Sequence, residues 1–353
     1  MPLTGRRRQD DRGAISMLAA ILFASGVLLG MAALVIDVGM LYAERGQLQS
    51  GADAAAVEVA QMCADDPNDC TPAALQPVAA RYARDNAANG EADARVCGRG
   101  GSLAPCAAPA GALTDCIGNR PASADYVEVR TNTLRGGSTV LPPVFAQALL
   151  GGDFEGAQVT ACARTAWGPP STAQGLALTI SSCDWLRITN AGATLPSVEV
   201  SIELYDESAP TSCGIGGTAP TNPGGFRWLS TGDSACRDTL SRSDEYTAVL
   251  PGPAPGGCVN ALDELLDSGD AIAVPIFDAA RNLGGGRSAH TVVGFAAFVV
   301  TGWQDPSSMN PSPAIPPCAT PACVQGYFKE ALVPGGAVLG GPDLGARAIA
   351  TIG

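Results

Sequence analysis

Hydrophobic positions are concentrated first in one run near the start of the chain. Residues Gly13 to Ile36, 24 in all, include no charged side chain. A helix of that length rises about 36 Å, enough to cross the ~30 Å hydrocarbon core of a bilayer with some tilt. The run also exceeds the ~7–15 apolar residues of a secretory signal peptide. It predicts an uncleaved transmembrane helix over residues 13–36, with a cleaved signal as the alternative.

The charges on either side of this run predict its orientation. Four arginines precede the run, whereas Asp37 and Glu44 follow it. The cytoplasmic flanks of membrane helices carry an excess of Lys and Arg. Residues 1–12 are therefore predicted to form a cytoplasmic arm. The chain after Asp37 is predicted to lie outside the cell, as the extracellular part of a single-pass protein of the cell membrane.

A repeat of apolar positions continues beyond the run. Leu41, Leu48, Ala55 and Met62 recur every seven residues, which is one stripe of a helix. Residues 37–63 are predicted to extend the first helix, to a total of about fifty residues and about 75 Å. An anchor followed by a separate juxtamembrane helix is the alternative.

Three small residues lie close to one face of the apolar run: Gly26, Gly30 and Ala33. Small residues allow helix backbones to approach closely in lipid. The G-x-x-x-G spacing predicts a packing surface for another membrane helix, although such spacing also arises in any segment rich in Gly and Ala.

Two polar motifs border the apolar run and its extension. An Arg-Gly pair precedes the run, and the residues after it follow D-x-G-x-x-Y and then R-x-x-L-Q-x-x-A-D-A-A-A. The positions are Arg12, Gly13, Asp37, Gly39, Tyr42, Arg45, Leu48, Gln49, Ala52, Asp53, Ala54 and Ala55. Residues 12–56 thereby resemble the N-terminal module of Tad-type (tight adherence) Flp pilus-assembly proteins of the TadE/TadG-like group.

That resemblance implies a single-pass membrane protein with its bulk outside the cell, which supports the assembly or anchoring of thin adhesive pili and is not an enzyme. The implied partners are the lipid bilayer and other Tad pilus-assembly proteins or pilins. The sequence lacks the D-x-S-x-S adhesion motif of larger members, and Leu18 stands where a pilin processed after Gly13 would carry Glu. Three downstream segments, 176–185, 224–229 and 290–298, resemble the cysteine-rich ectodomains of actinobacterial Tad-like proteins.

Beyond residue 63 the hydrophobic pattern changes to short elements. Apolar and polar alternation, or a continuous apolar run, predicts strands at 125–131, 158–168, 198–205, 271–277, 291–303 and 346–352. Helical spacing predicts helices at 72–88, 143–150 and 258–266. The predicted class is α+β: a long N-terminal helix, a helix and Gly/Pro-rich linker over 64–124, and a β-rich, disulfide-rich ectodomain over 125–353.

All twelve cysteines follow the apolar run. They are Cys63, Cys70, Cys97, Cys106, Cys116, Cys162, Cys183, Cys213, Cys236, Cys258, Cys318 and Cys323. An even number of cysteines on the exported side predicts disulfides. The chain has no C-x-x-C and one histidine, which argues against a metal site. The short-range candidate pairs are Cys63 with Cys70, Cys236 with Cys258, and Cys318 with Cys323, and the full connectivity is open.

Composition narrows the classes of partner. The chain has 34 Asp and Glu against 21 Lys and Arg, a net charge of −13, whereas nucleic-acid binding needs Lys and Arg to displace counterions from phosphates. Gly284 to Gly286 with Arg287 fit neither nucleotide-binding glycine motif, so these glycines are predicted to form a hairpin turn. No nucleic acid, nucleotide or other cofactor is expected. An acidic cluster without EF-hand spacing is predicted to be a solvated face rather than a weak Ca²⁺ site: Asp263, Glu264, Asp267 and Asp270.

Candidate catalytic chemistry rests on one residue. His290 is the single imidazole, and the chain has no G-x-S-x-G. His290 is predicted to be a hydrogen-bonded residue at a strand edge, and no enzyme is expected. Asp37, which belongs to the family motif at the end of the apolar run, is a hypothetical docking residue.

These observations predict a non-enzymatic structural or assembly component of a Tad-type Flp pilus or a related surface secretion system. The alternative is a membrane-anchored extracellular binding or sensor module that is not tied to pili. An exposed aromatic or basic patch would favour that alternative.

Overall fold

The computed structural model describes residues 12–24, 26–107, 116, 118–145, 155–195, 198–204, 210–212, 215, 221–230, 235–249, 253–334 and 338–352. It confirms the α+β class, with a long N-terminal helix followed by a strand-rich body that carries disulfides. The helices are α1 (Arg12–Ala24), α2 (Val27–Asp65), α3 (Pro72–Asn86), α4 (Ser182–Ile188) and α5 (Cys258–Ser268).

The strands of the first half are β1 (Ala92–Arg99), β2 (Asp125–Thr133), β3 (Thr160–Gly168), β4 (Pro170–Leu176), β5 (Leu178–Ser181), β6 (Val200–Glu203), β7 (Pro210–Ser212), β8 (Thr221–Pro223) and β9 (Phe226–Trp228). Those of the second half are β10 (Arg237–Ser241), β11 (Glu245–Ala248), β12 (Ala271–Gly284), β13 (Arg287–Asp305), β14 (Ser308–Asn310), β15 (Cys323–Lys329), β16 (Ala331–Leu332), β17 (Val338–Leu339) and β18 (Ala346–Thr351).

The N-terminal helix is not continuous. Instead of one helix from the apolar run to Cys63, α1 ends at Ala24 and α2 begins at Val27. Gly26 caps α2 with φ 70° and ψ 3°, a left-handed conformation that glycine adopts at little cost because it has no Cβ. Of the helices in the described residues, none combines the length and the apolar character that crossing a membrane requires.

The second half of α2 packs on a five-stranded sheet, sheet 1, whose order is β1-β2-β3-β18-β16. The core between α2, α3 and this sheet includes Leu48, Ala52, Ala55, Ala56, Val59, Leu75, Ala79, Ala83, Val127, Val129, Ala163 and Trp167. Its many alanines allow a close approach of the helices. A Cβ added at Gly51 would lie 3.0 Å from the Cα of Ala83.

Sheet 1 combines the first three strands of the chain with two strands near its C-terminal end, β16 and β18. Its β1, β2 and β3 are antiparallel neighbours in sequence, and β18 pairs antiparallel with β3, with Ile349 opposite Trp167. Strand β1 lies inside the segment 64–124 for which a helix and a linker were predicted. Helix α3 begins at Pro72 as predicted, with the Thr71 hydroxyl accepting the Ala74 N–H at 3.3 Å, a typical helix N-cap.

The remaining body is an eleven-stranded sheet, sheet 2, with the main order β10-β4-β12-β13-β15-β6. Its two central strands form a hairpin whose turn contains Gly284, Gly285 and Gly286, all with positive φ. Both central strands are longer than predicted. Helices α4 and α5 contribute to the main core of this sheet, which includes Trp185, Leu262 and Phe298.

Five disulfides connect described cysteines: Cys63–Cys70, Cys97–Cys106, Cys116–Cys162, Cys236–Cys258 and Cys318–Cys323. They include the three short-range candidate pairs. Cys183 is also disulfide-bonded, and Cys213 lies outside the described residues. The predicted helix 143–150 is described only as far as Phe145, which belongs to a loop.

Candidate functional site

Helix α2 is divided into a buried half and an exposed half. From Leu48 onwards its stripe of apolar residues belongs to the core on sheet 1. Ahead of Leu48, large apolar side chains of α1 and α2 are exposed: Ile15, Met17, Leu18, Ile21, Leu22, Phe23, Met31, Leu34, Val35, Ile36, Val38 and Tyr42. An exposed apolar surface of this extent indicates contact with a membrane or with another protein.

The predicted heptad stripe and the family motif divide in the same way. Leu48, Ala52 and Ala55 are fully buried, while Leu41 and Met62 are partly buried against the same core. Tyr42, Arg45, Gly39 and Asp53 are exposed, and Ala54 is half-buried. Arg12 and Gly13 begin α1. The motif therefore contains one group of residues that holds α2 in the fold and another that faces outwards.

Two polar motif residues of α2, Gln49 and Asp53, are hydrogen-bonded to each other. The Gln49 side-chain amide donates to the Asp53 carboxylate at 2.8 Å and to the Cys162 carbonyl at 3.0 Å. Gln49 thus connects the exposed face of the helix with β3. Asp53 remains at the surface, at the edge of a hollow that Thr165 and Thr351 also line.

Asp37 is the acidic motif residue closest to the apolar run, and it is buried inside the chain, with 7% exposure. Its Oδ1 accepts the backbone N–H of Val144 at 2.8 Å, and both its oxygens lie 3.2 Å from the backbone nitrogen of Phe145. Sequence reasoning proposed Asp37 for docking a partner. The structure uses it to hold a loop more than a hundred residues away.

Two apolar hollows flank α2 beside this loop. One, of about 180 Å³, is lined by Leu34, Val38, Leu141, Pro142 and Pro143 among others. The second, of about 240 Å³, lies between Leu41, Tyr42 and Arg45 and the chain from Ala157 to Thr160. Both hollows are lined mainly by apolar residues, with Asp37 in the first and Tyr42 and Arg45 in the second.

The three small residues proposed for membrane-helix packing have different environments. Gly26 is the left-handed cap at the break, and its carbonyl accepts the Gly30 N–H at 2.8 Å. Ala33 is buried. A role of Gly26, Gly30 and Ala33 in helix association remains a prediction.

A buried ion cluster lies on the other face of sheet 1, and sequence reasoning missed it. Glu128 is almost fully buried and accepts hydrogen bonds from Arg164 at 2.9 Å and from Arg130, while Arg120 approaches at 3.4 Å. Burial opposes ionisation of Glu128, but the bonds from Arg164 and Arg130 outweigh it and lower its pKa. The sequence carries one signal of this cluster: Glu128 and Arg130 alternate with Val127 and Val129 along β2, so both charged residues share one face of the strand. The cysteines near Glu128 form disulfides, so no described thiolate there is free to bind a metal.

His290 is fully buried between β12 and β11 rather than at a strand edge, which corrects the prediction. Its Nε2 lies 2.9 Å from the Ser288 hydroxyl, and its ring packs on Phe277 with centroids 4.1 Å apart. Burial, together with the nearby Arg227 charge, lowers its pKa to about 3. A neutral imidazole enclosed in this way is part of the core, because substrate has no access to it.

The acidic cluster around α5 has separate partners. Asp263 accepts hydrogen bonds from the Trp303 indole at 2.9 Å and from Asn310 at 3.2 Å. Glu264 lies 3.8 Å from Arg237. Asp267 and Asp270 are exposed. Asp263 and Glu264 therefore contact neighbouring residues of the fold, and Asp267 and Asp270 are solvated.

Comparison with protein families gives a match to the segment that forms α1 and most of α2. Residues 13–62 match the family described as "Putative Flp pilus-assembly TadE/G-like". Over these residues, called the Tad module below, the chain is similar to that family. The Tad module spans nearly all of α1 and α2 and ends close to the Cys63–Cys70 disulfide. No curated protein and no solved structure matches the chain. The resemblance of the downstream segments to cysteine-rich ectodomains remains a prediction.

Proposed function

We propose that this protein is a membrane-anchored, non-enzymatic component of a Tad-type Flp pilus or of a related surface secretion system. Its Tad module associates the chain with Flp pilus assembly. The observation that carries the proposal is the division of α2: large apolar side chains are exposed ahead of residue 48, and one apolar face is buried in the core from Leu48 onwards.

The exposed half explains the anchor. Apolar surface left in water costs about 25 cal/mol per Å². Most of the exposed large apolar side chains belong to residues 13–36, which carry no charge. In the proposal these residues lie in lipid or against neighbouring membrane helices. The arginines before them stay in the cytoplasm, and both sheets lie outside.

The buried half explains how the anchor is joined to the ectodomain. Helix α2 enters the core directly, between α3 and sheet 1, and the Thr131 hydroxyl donates to the Leu48 carbonyl at 2.9 Å. The Cys63–Cys70 disulfide closes the end of the helix. The ectodomain is therefore held on the axis of α2 instead of on a linker, which suits a component that positions other proteins at the membrane.

The non-enzymatic part of the proposal is supported by the burial of His290. Its ring is enclosed by Phe277 and bonded to Ser288, and a pKa of about 3 leaves it neutral at physiological pH. The buried Glu128 is paired with Arg130 and Arg164, which keeps this carboxylate away from solvent as well.

A deletion strain examined by electron microscopy for surface fibres tests the function. We expect fewer or no fibres, with recovery when the full chain is supplied. Ile21→Asp places a charge in the apolar run, which costs about 2.5–3.5 kcal/mol near the centre of a membrane helix, and is expected to prevent recovery. Val338→Asp, the same kind of change at an exposed aliphatic residue of sheet 2, is the matched control. Fibres of normal number and length in the deletion strain would contradict the proposal.

A further inference from the structure

A second apolar element lies beside α2 where the charge-free run ends. It is the segment Leu141-Pro142-Pro143-Val144-Phe145, named here the 141–145 loop. Val144 is 56% exposed and Phe145 42% exposed. The sequence around the loop contains no charged residue between Arg135 and Asp153. Exposing a valine and a phenylalanine to water costs free energy, and an apolar environment would remove that cost.

Every backbone N–H of the 141–145 loop is accounted for within the chain. The Leu141 N–H donates to the Ala157 carbonyl at 2.9 Å, and Pro142 and Pro143 have no N–H. The last two N–H groups donate to the buried Asp37 carboxylate. Unsatisfied backbone N–H and C=O groups exclude irregular chain from the hydrocarbon core. The loop leaves none of its N–H groups unsatisfied, which is compatible with a place at the hydrated interface.

The position of the loop follows from Asp37. Asp37 comes directly after Ile36, the last residue of the charge-free run. The loop therefore lies beside α2 at the point where the proposed anchor leaves the membrane. The hollow between Leu34 and Pro143 is lined largely by apolar residues, so the apolar surface of the helix continues onto the loop.

We infer that the 141–145 loop is a second lipid contact, in which Val144 and Phe145 enter the interfacial layer of the outer leaflet beside α2. The inference rests on the proposed membrane anchor. Lipid is the occupant that the observations favour, because the surface is continuous with that of the anchor and uncharged, and because its backbone donors need no external acceptor. Interfacial apolar groups enter about 5–10 Å into the boundary between headgroups and acyl chains. Helix and loop together then determine the tilt of the ectodomain on the membrane.

Quenching of tryptophan fluorescence by brominated lipids tests this inference on the full chain in phosphatidylcholine vesicles. Three variants are compared with the wild-type emission of the native tryptophans. Phe145→Trp reports on the loop, Val35→Trp reports on the anchor, and Val338→Trp is an exposed control on sheet 2. We expect the emission added by Phe145→Trp to be quenched in brominated vesicles. The quenching should be strongest when the bromine lies near the headgroup end of the acyl chain. The emission added by Val338→Trp should not be quenched.

The outcomes separate the inference from the proposed anchor. If Val35→Trp is quenched and Phe145→Trp behaves as Val338→Trp does, the inference is overturned and the anchor stands. If Val35→Trp also escapes quenching, the anchor fails and the inference fails with it. An emission change at residue 145 that follows the protein-to-lipid ratio instead of the bromine assigns the loop to a second copy of the chain, which also overturns the lipid contact.

The role of Asp37 has its own measurement in the Phe145→Trp chain. Asp37→Ala removes the acceptor for the Val144 and Phe145 N–H groups, and the quenching of residue 145 should decrease. Asp53→Ala, at the other acidic motif residue of α2, should leave it unchanged. Equal quenching with and without Asp37 would show that the carboxylate does not hold the loop in place.

Discussion

The buried His290 makes the stability of the fold dependent on pH below neutrality. Its pKa is lowered to about 3 in the folded chain, first by burial and then by the positive charge of Arg227, against an ordinary value of 6.5. The neighbouring Ser288 and Phe277 carry no charge. Between these two pKa values the unfolded chain binds a proton that the folded chain does not. Stability contributed by the neutral imidazole is therefore present above about pH 6.5 and lost as the pH falls towards 3.

The magnitude follows from linkage. Each pH unit between the two pKa values changes the free energy of unfolding by about 1.4 kcal/mol. Integrating the two titrations from pH 7 to pH 5 gives a loss of about 2 kcal/mol from this residue. His290 lies on β13 between β12 and β11, and its ring packs on Phe277, so the neutral imidazole is enclosed in the folded chain.

Urea unfolding of the full chain in detergent, with disulfides intact, measures this loss at pH 7 and pH 5. His290→Gln is the comparison, because glutamine has a similar size and does not titrate. The variant will be less stable at pH 7, but its decrease between the two pH values should be smaller than that of the wild type by about 2 kcal/mol. An equal decrease in both proteins would refute the assignment of the low pKa to His290.

Three further predictions concern the packing of sheet 1. Leu48→Ala should lower the free energy of unfolding by about 2–5 kcal/mol in urea titrations, whereas Tyr42→Ala on the exposed half of α2 should change it by less than about 0.5 kcal/mol; similar losses would contradict the division of the helix. Glu128→Gln removes the countercharge of buried arginines and should cost about 3–5 kcal/mol in thermal unfolding, with Glu245→Gln in an exposed pair as the near-neutral control. Because the folded pKa of Glu128 is lowered, its contribution is present above about pH 4.5 and is lost as the pH falls through the folded pKa, so the two unfolding curves should converge in acid. Replacing both members of Cys116–Cys162 by serine opens a loop with a separation of 46 residues and should cost about 4 kcal/mol; a loss under about 1 kcal/mol in the same urea assay would show that this pair does little to restrict the unfolded chain.

Local signals were sufficient for some of the elements, such as α3, β2, β3, β12 and β13, but not for β1, β4, β15 or α4. Thr71 and Pro72 begin α3 where a cap and a first-turn proline allow it. The three glycines between β12 and β13 form the turn of a hairpin because each has a positive φ that glycine tolerates. Cys63 and Cys70 are close enough in sequence for the helix end itself to bring them together. The seven-residue stripe likewise indicated the buried face of α2.

Which segments cover these buried faces could be seen only in the tertiary structure. Apolar periodicity shows which side of a helix or strand is buried, but it carries no information about the partner that covers it. Strand β18 joins β3 across about half the chain, Glu128 meets Arg164 from a neighbouring strand, and Asp37 accepts backbone donors from the 141–145 loop. The break at Gly26 was also hidden, because a glycine in an apolar run is compatible with both a helix and its interruption. The sequence alone thus indicated a Tad-like N-terminal helix and a strand-rich body with disulfides, because composition and period act locally. Which residues hold the two together was decided by pairings between segments distant in sequence.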